Sequence, residues 1–128
     1  MKRNFRIGLL TNGDSALQRE KFQASGLAPL FDAVTVSGEH GVGKPEPEIF
    51  RIALDALDCE ARETWMVGNS LARDILGAQS AGLAAGVWLR VPGSEEFAEV
   101  TPDFEITGLH ALPDIALQHR ESGLTVTA

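Results

Sequence analysis

The sequence predicts an α/β domain: a mainly parallel sheet of four to five strands, doubly wound, with helices on both faces. Three observations lead there. Short apolar runs alternate with helical patterns along the chain, as they do when a parallel sheet is covered on both sides. The 128 residues, 44% hydrophobic and 23% charged, have the balance of one globular domain whose core needs no metal or disulfide staple. No internal repeat, low-complexity tract or linker divides them, so residues 1–128 read as a single domain.

The strands are expected at Arg6–Thr11, Ala33–Ser37, Thr64–Val67 and Ala84–Leu89, with Phe104–Thr107 as an edge strand. Behind Pro47, which suits a first helical turn, Ile49, Phe50, Ala53, Leu54 and Leu57 recur at helical spacing. Asp14–Ser25 reads as a helix with Leu17 and Phe22 facing inward and Gly26 as its C-terminal cap. Leu71–Ala81 reads likewise, closed by Gly82. Beyond Pro92 the pattern weakens: Ser94–Thr101 is expected to be a loop, Leu109–His119 a final helix and 121–128 a frayed tail.

Eighteen acids against eleven Lys plus Arg give a net charge of −7, which repels phosphate backbones and excludes a nucleic-acid partner. An anionic ligand must then be held by local groups. Cys59 stands alone, so no intramolecular disulfide can form, and a single thiol suits the reducing cytoplasm. The apolar run Ile7–Leu10 is too short for a signal-peptide core, and the uncharged stretch Ile75–Leu89 falls short of a bilayer span.

Ligands of doubly wound sheets sit beyond the carboxyl ends of the strands, and three such positions carry chemistry. Thr11-Asn12-Gly13 combines a hydroxyl, a freed backbone and a helix start, which together cradle an anion; by itself it is also an ordinary strand-to-helix turn. Lys44, followed by Pro45-Glu46-Pro47, has its ammonium fixed by a stiffened chain and suits phosphate, although most lysines are merely solvated. Asn69 and Asp74, at a strand end and in the first turn of a helix, offer oxygens to a hard cation such as magnesium; Asp74 alone could simply compensate a helix terminus.

Two rival motifs fail on their own terms. Gly38 to Lys44 has the glycine and lysine spacing of a P-loop, but Pro45 supplies neither hydroxyl nor amide hydrogen. Gly68-Asn69-Ser70-Leu71-Ala72 is similar to a serine nucleophile elbow, but too little chain precedes it for that fold's strands and oxyanion loop. His40, His110 and His119 share no ligand spacing with Cys59, so no zinc site is expected.

Taken in order, Thr11-Asn12-Gly13, Gly43-Lys44-Pro45-Glu46-Pro47-Glu48-Ile49-Phe50 and Val67-Gly68-Asn69-Ser70 with Asp74, Gly77 and Ala78 resemble the haloacid-dehalogenase-like hydrolase superfamily, in its phosphoglycolate-phosphatase-like branch. Phe31-Asp32 ahead of the second strand fits as well. The resemblance covers Ile7 to about Val91 and implies a Rossmann-like core. It further implies magnesium-dependent hydrolysis of a small phosphorylated metabolite through an aspartyl-phosphate. By that resemblance Thr11 and Lys44 are catalytic, Thr11, Asn12, Gly13 and Lys44 hold phosphate, and Asn69 and Asp74 serve the metal. Asparagine at position 69, where the family commonly has aspartate, leaves Asp74 as the main carboxylate.

The family's remaining motif, two aspartates one residue apart at the end of a central strand, is absent: no Asp-x-Asp occurs anywhere in the sequence. The cap domain usual in that branch is absent too. A sheet lacking its central strand would bury unpaired backbone edges. The expectation is therefore that Arg6–Thr11 pairs directly with Thr64–Val67, or that a second chain fills the gap; a homo-oligomer or a missing N-terminal segment stays open as partner. Without the nucleophile the isolated chain is expected to be inactive. Three readings stay open: a truncated phosphohydrolase, a non-catalytic phosphate- and metal-binding module, and a subunit completed by another polypeptide. All three require the loops at 11, 44 and 69–74 to converge on one pocket.

Overall fold

A computed structural model describes residues 6–93, 97, 99–108 and, as backbone, 123–127. Its strands are β1 (Arg6–Thr11), β2 (Ala33–Val36), β3 (Thr64–Gly68), β4 (Ala85–Leu89), β5 (Phe104–Ile106) and β6 (Gly123–Thr127), and its α-helices are α1 (Ser15–Ser25), α2 (Pro47–Leu57) and α3 (Leu76–Ser80). They form one six-stranded sheet in the order β2-β1-β6-β3-β4-β5, in which every pairing is parallel. The chain steps from β1 to β2 in one direction and from β2 through β3 to β4 in the other. With right-handed crossovers, α1 is then carried on one face and α2 and α3 on the opposite one, which is the doubly wound arrangement.

α2 forms because Pro47 opens its first turn and an apolar stripe follows, so that Ile49, Phe50, Ala53, Leu54 and Leu57 are all buried. Asp58 closes it in the left-handed conformation. Ile49, Phe50 and Ala53 pack with Leu10 of β1, Met66 of β3 and Ala78 of α3 in one cluster. Trp65, Val67, Ala85, Val87 and Ile106 make a second core. A π-helical turn, Leu71–Ile75, runs into α3 and covers Trp88 and Val100. Gly26 and Gly82 close their helices in the left-handed region, as their positions predict. Asp32 clamps the start of β1: its amide donates to the Ile7 carbonyl at 2.7 Å and its Oδ2 accepts from the Ile7 amide at 2.7 Å.

Three expectations need correction. The first concerns the gap in the sheet. β1 and β3 do not pair with each other; residues 123–127, expected to be a frayed tail, form β6 and fill the slot. Leu9 and Val67 both register with Val126, and Gly8 and Met66 both register with Thr125. The physical reason is the one that made the gap costly: two buried edges need a strand, and this chain supplies its own, which raises the sheet to six strands. The second is α1, which buries none of its residues; Leu17, expected to face inward, is 51% exposed, and Phe22 is half-buried against Phe31. Polar ties hold this helix instead, as described below. The third is minor: helix begins at Leu71 as expected, but as a π turn rather than an α turn. The expected Leu109–His119 helix and part of the Ser94–Thr101 loop lie outside the described residues.

Candidate functional site

The site is built at the carboxyl end of β1. Thr11 is buried, and the chain leaves the sheet through Asn12 and Gly13. Gly13 sits at φ 142°, where a side chain would be strained and its Cβ would come within 2.9 Å of Gln18. Its amide donates to Ser37 Oγ at 2.8 Å and its carbonyl accepts from the Gly38 amide at 3.0 Å, so the loops after β1 and β2 lock together. From α1, Gln18 Nε2 donates to Thr11 Oγ1 at 2.9 Å and to the Asn12 carbonyl at 2.8 Å. An amide nitrogen only donates, so Thr11 accepts there. Arg19 and Ser15 add a second polar tie between α1 and the loop after β2, both bonding to Glu39.

Lys44 is held at both ends. The Asn12 side chain grips its backbone, with Oδ1 accepting from the Lys44 amide at 2.9 Å and Nδ2 donating to the Lys44 carbonyl at 3.2 Å. Its Nζ lies 2.9 Å from Asp74 Oδ1 and 3.5 Å from the Leu10 carbonyl, and both charged side chains are almost wholly buried, at 4% and 2% exposure. Burial pushes the Lys44 amine below the ordinary lysine value, and the Asp74 carboxylate offsets only part of that. Asp74 Oδ2 accepts from the Ser70 amide at 3.0 Å, so the carboxylate is fixed from the loop that follows β3. Only glycine fits at position 68: a Cβ there would come to lie within 2.3 Å of Asp74. Trp88 Nε1 donates to the Asn69 carbonyl at 3.2 Å and anchors the start of that loop.

Thr11, Asn12, Gly13, Lys44 and Asp74 therefore meet at one rim of the sheet, as the three-loop reading requires. Asn69 lies on the same loop with an exposed side chain. Gln18, Ser37 and Trp88, which set the positions of these groups, are missed in the sequence. None of them belongs to a motif; Ser37 and Trp88 work across a long sequence separation that only folding closes, and Gln18 reaches back from α1 to the loop just before it.

The donor set can be tested against magnesium. Magnesium prefers several hard oxygens, carboxylates among them. Here Asp74 turns both oxygens inward, to Lys44 and to the Ser70 amide, and its charge is already balanced. Asn69 adds a neutral amide, and among the described residues no group of three His, Cys, Asp or Glu side chains is placed to hold a metal. Asn69 and Asp74 do not by themselves constitute a magnesium site.

An all-parallel, doubly wound sheet with a polar cluster beyond its strand ends defines a Rossmann-like α/β domain. The chain belongs to the haloacid dehalogenase-like hydrolases, whose family model matches residues 1–82. It is 43% identical over 108 residues to the phosphoserine phosphatase of Thermus thermophilus, an alignment covering 84% of this chain and 43% of that protein. It is 38% identical over 117 residues to the pyrimidine 5'-nucleotidase YjjG of Escherichia coli, covering 91% and 52%. Among solved structures, the HAD-hydrolase YfnB of Bacillus subtilis, determined with bound magnesium, superimposes with a TM-score of 0.79 at 34% identity, over 87% of this chain and 49% of that one. A HAD phosphatase from Thermococcus onnurineus gives 0.78 at 35% identity, over 86% and 49%. The chain spans about half the length of the curated relatives it matches.

Proposed function

We propose that this chain is the phosphate-handling core of a phosphomonoesterase acting on a small phosphorylated metabolite. The observation that carries the reading is the placement of Lys44, gripped by Asn12 and aligned by Asp74, at the rim where Thr11 ends β1. A phosphoryl group there would receive the Thr11 hydroxyl on one oxygen and the Lys44 ammonium against its developing charge. Gln18 holds the Thr11 side chain from α1. The curated relatives, named for phosphoserine and pyrimidine nucleotides, support a phosphoester substrate.

Covalent transfer to an aspartate needs a carboxylate at the end of the central strand, and β6, Gly-Leu-Thr-Val-Thr, carries none. That composition favours a second reading of the chain on its own, namely phosphate binding without turnover. Magnesium belongs to the complete site, where a further carboxylate would join Asp74 and Asn69.

Titration with inorganic phosphate, followed by amide NMR, should shift Thr11, Asn12 and Lys44, and Lys44→Ala should abolish the response. An aryl phosphate should not be hydrolysed by the chain alone. Phosphate shifts that ignore Lys44→Ala would overturn the site, whereas hydrolysis lost in Lys44→Ala would show that the chain has a nucleophile of its own.

A further inference from the structure

The rim holds more positive charge than its ion pair uses. Lys44 and Asp74 cancel each other at 2.9 Å, and Thr11, Asn12, Gly13, Asn69 and Ser70 carry no charge. A neutral cluster has little pull on an anion when the chain as a whole stands at −7. Arg73, one residue ahead of Asp74 on the same turn, leaves the cluster net positive. The backbone that carries it is fixed: the Arg73 amide donates to Ser70 Oγ at 3.2 Å, and the Asp74 amide donates to the Ser70 carbonyl at 2.8 Å. Its side chain is exposed and makes no hydrogen bond or ion pair with the described residues, whereas Arg6, Arg19, Arg62 and Arg90 each lie against a carboxylate. Burial pushes the Lys44 amine down, Asp74 opposes that, and the Arg73 charge pushes it down again, so the two cations stand close enough to feel each other. They differ in depth. The Lys44 side chain is 4% exposed and Arg73 is at the surface, so an anion that answers both carries charge at two levels, one group against Lys44 and another farther out. A guanidinium suits the outer place, because its planar fork donates two parallel hydrogen bonds to a carboxylate or a phosphate.

We propose that Arg73 is a specificity-determining residue that binds a second anionic group of the ligand, a carboxylate or a second phosphate borne a few atoms from the phosphoryl group at Thr11 and Lys44. The assignment rests on the phosphate-handling reading of this rim and narrows it to one class of phosphoester.

The full chain is titrated, at fixed ionic strength, with two pairs of probes and followed by amide and arginine side-chain NMR. 3-Phosphoglycerate and glycerol 3-phosphate differ in a carboxylate; fructose 1,6-bisphosphate and fructose 6-phosphate differ in a second phosphate. In at least one pair the doubly anionic member should bind about tenfold more tightly and shift the Arg73 Nε signal, which its partner should leave in place. The pair that shows this names the group. Arg73→Gln should bring the two affinities of that pair together, and Arg73→Lys, which keeps the charge but loses the fork, should restore only a small part of the difference. Equal affinities within both pairs in the wild type overturn the proposal, whether or not the variants fold. A preference that survives Arg73→Gln, or is kept whole in Arg73→Lys, overturns it too, since neither then needs a guanidinium contact. Inorganic phosphate separates the two readings: if it shifts Thr11 and Lys44 while both pairs bind alike, only the Arg73 assignment falls, and if it shifts neither residue, the phosphate site falls with it.

Discussion

Lys44 carries its charge where water is scarce, and Asp74 is the reason it can. Taking both ions out of water is costly, and their attraction at 2.9 Å offsets that cost only while both are present. Lys44→Met should therefore destabilise the domain by about 3–5 kcal/mol in urea unfolding, because it strands a buried carboxylate, while Lys44→Met combined with Asp74→Leu should recover most of the loss. Asn12→Ala removes two half-buried bonds to the Lys44 backbone and should cost about 1–2 kcal/mol by the same measurement. At the surface, bonds from Arg19 and then Ser15 pull the Glu39 carboxyl from 4.5 down to about 2. Because the folded value is the lower one, the tie between α1 and the β2 loop is at full strength above pH 4.5 and is lost as pH falls toward 2. Side-chain NMR titration should show that low midpoint, and Arg19→Ala should move it upward.

Among the elements, α2 and α1 show two ways of attaching a helix. α2 presents an apolar stripe and is fixed by packing; α3 crosses it so closely that a Cβ at Gly77 would lie 2.4 Å from the Phe50 ring and 3.2 Å from the Pro45 Cα. Gly77→Ala should thus be destabilising by about 1–3 kcal/mol through overpacking, and Gly77→Ala with Phe50→Leu should be less so, both read from denaturant midpoints. α1 buries nothing and is held by Gln18, Arg19 and Ser15. Such polar ties give direction with little energy. α1 should therefore be the first helix to open in hydrogen exchange, well before α2.

For the molecule as a whole, the order in which the strands separate reports how the sheet is assembled. β3 and β4 are joined by a side-chain core as well as a ladder, and β6 is paired on both edges between β1 and β3. Amides of Leu124 and Val126 should be protected from exchange, since both lie between paired strands, but should open before those of Leu9 and Val67. Exchange of β6 at the rate of an unpaired chain would remove it from the sheet altogether. The net charge of −7 acts at this scale too, since a phosphate ion meets a repulsive molecule before it meets Lys44. Screening by salt should accordingly raise its association rate.

What was legible in the sequence rests on local pattern. The apolar runs gave the strands, the stripe behind Pro47 gave α2, Gly26 and Gly82 gave the helix ends, and the motifs at 11–13, 43–50 and 67–74 marked the rim and the family. Those signals are short-range, set by the strand and helix periods and by which residues tolerate a turn. Leu17 misled because an apolar residue at helical spacing says nothing about whether a neighbouring layer exists to cover it. Gln18 holding Thr11, Asn12 gripping Lys44 and Trp88 anchoring Asn69 join residues that only the folded chain brings together. The filling of the central slot is the clearest case: Gly-Leu-Thr-Val-Thr has the look of a tail, and it becomes a strand because two buried edges on either side need hydrogen-bond partners.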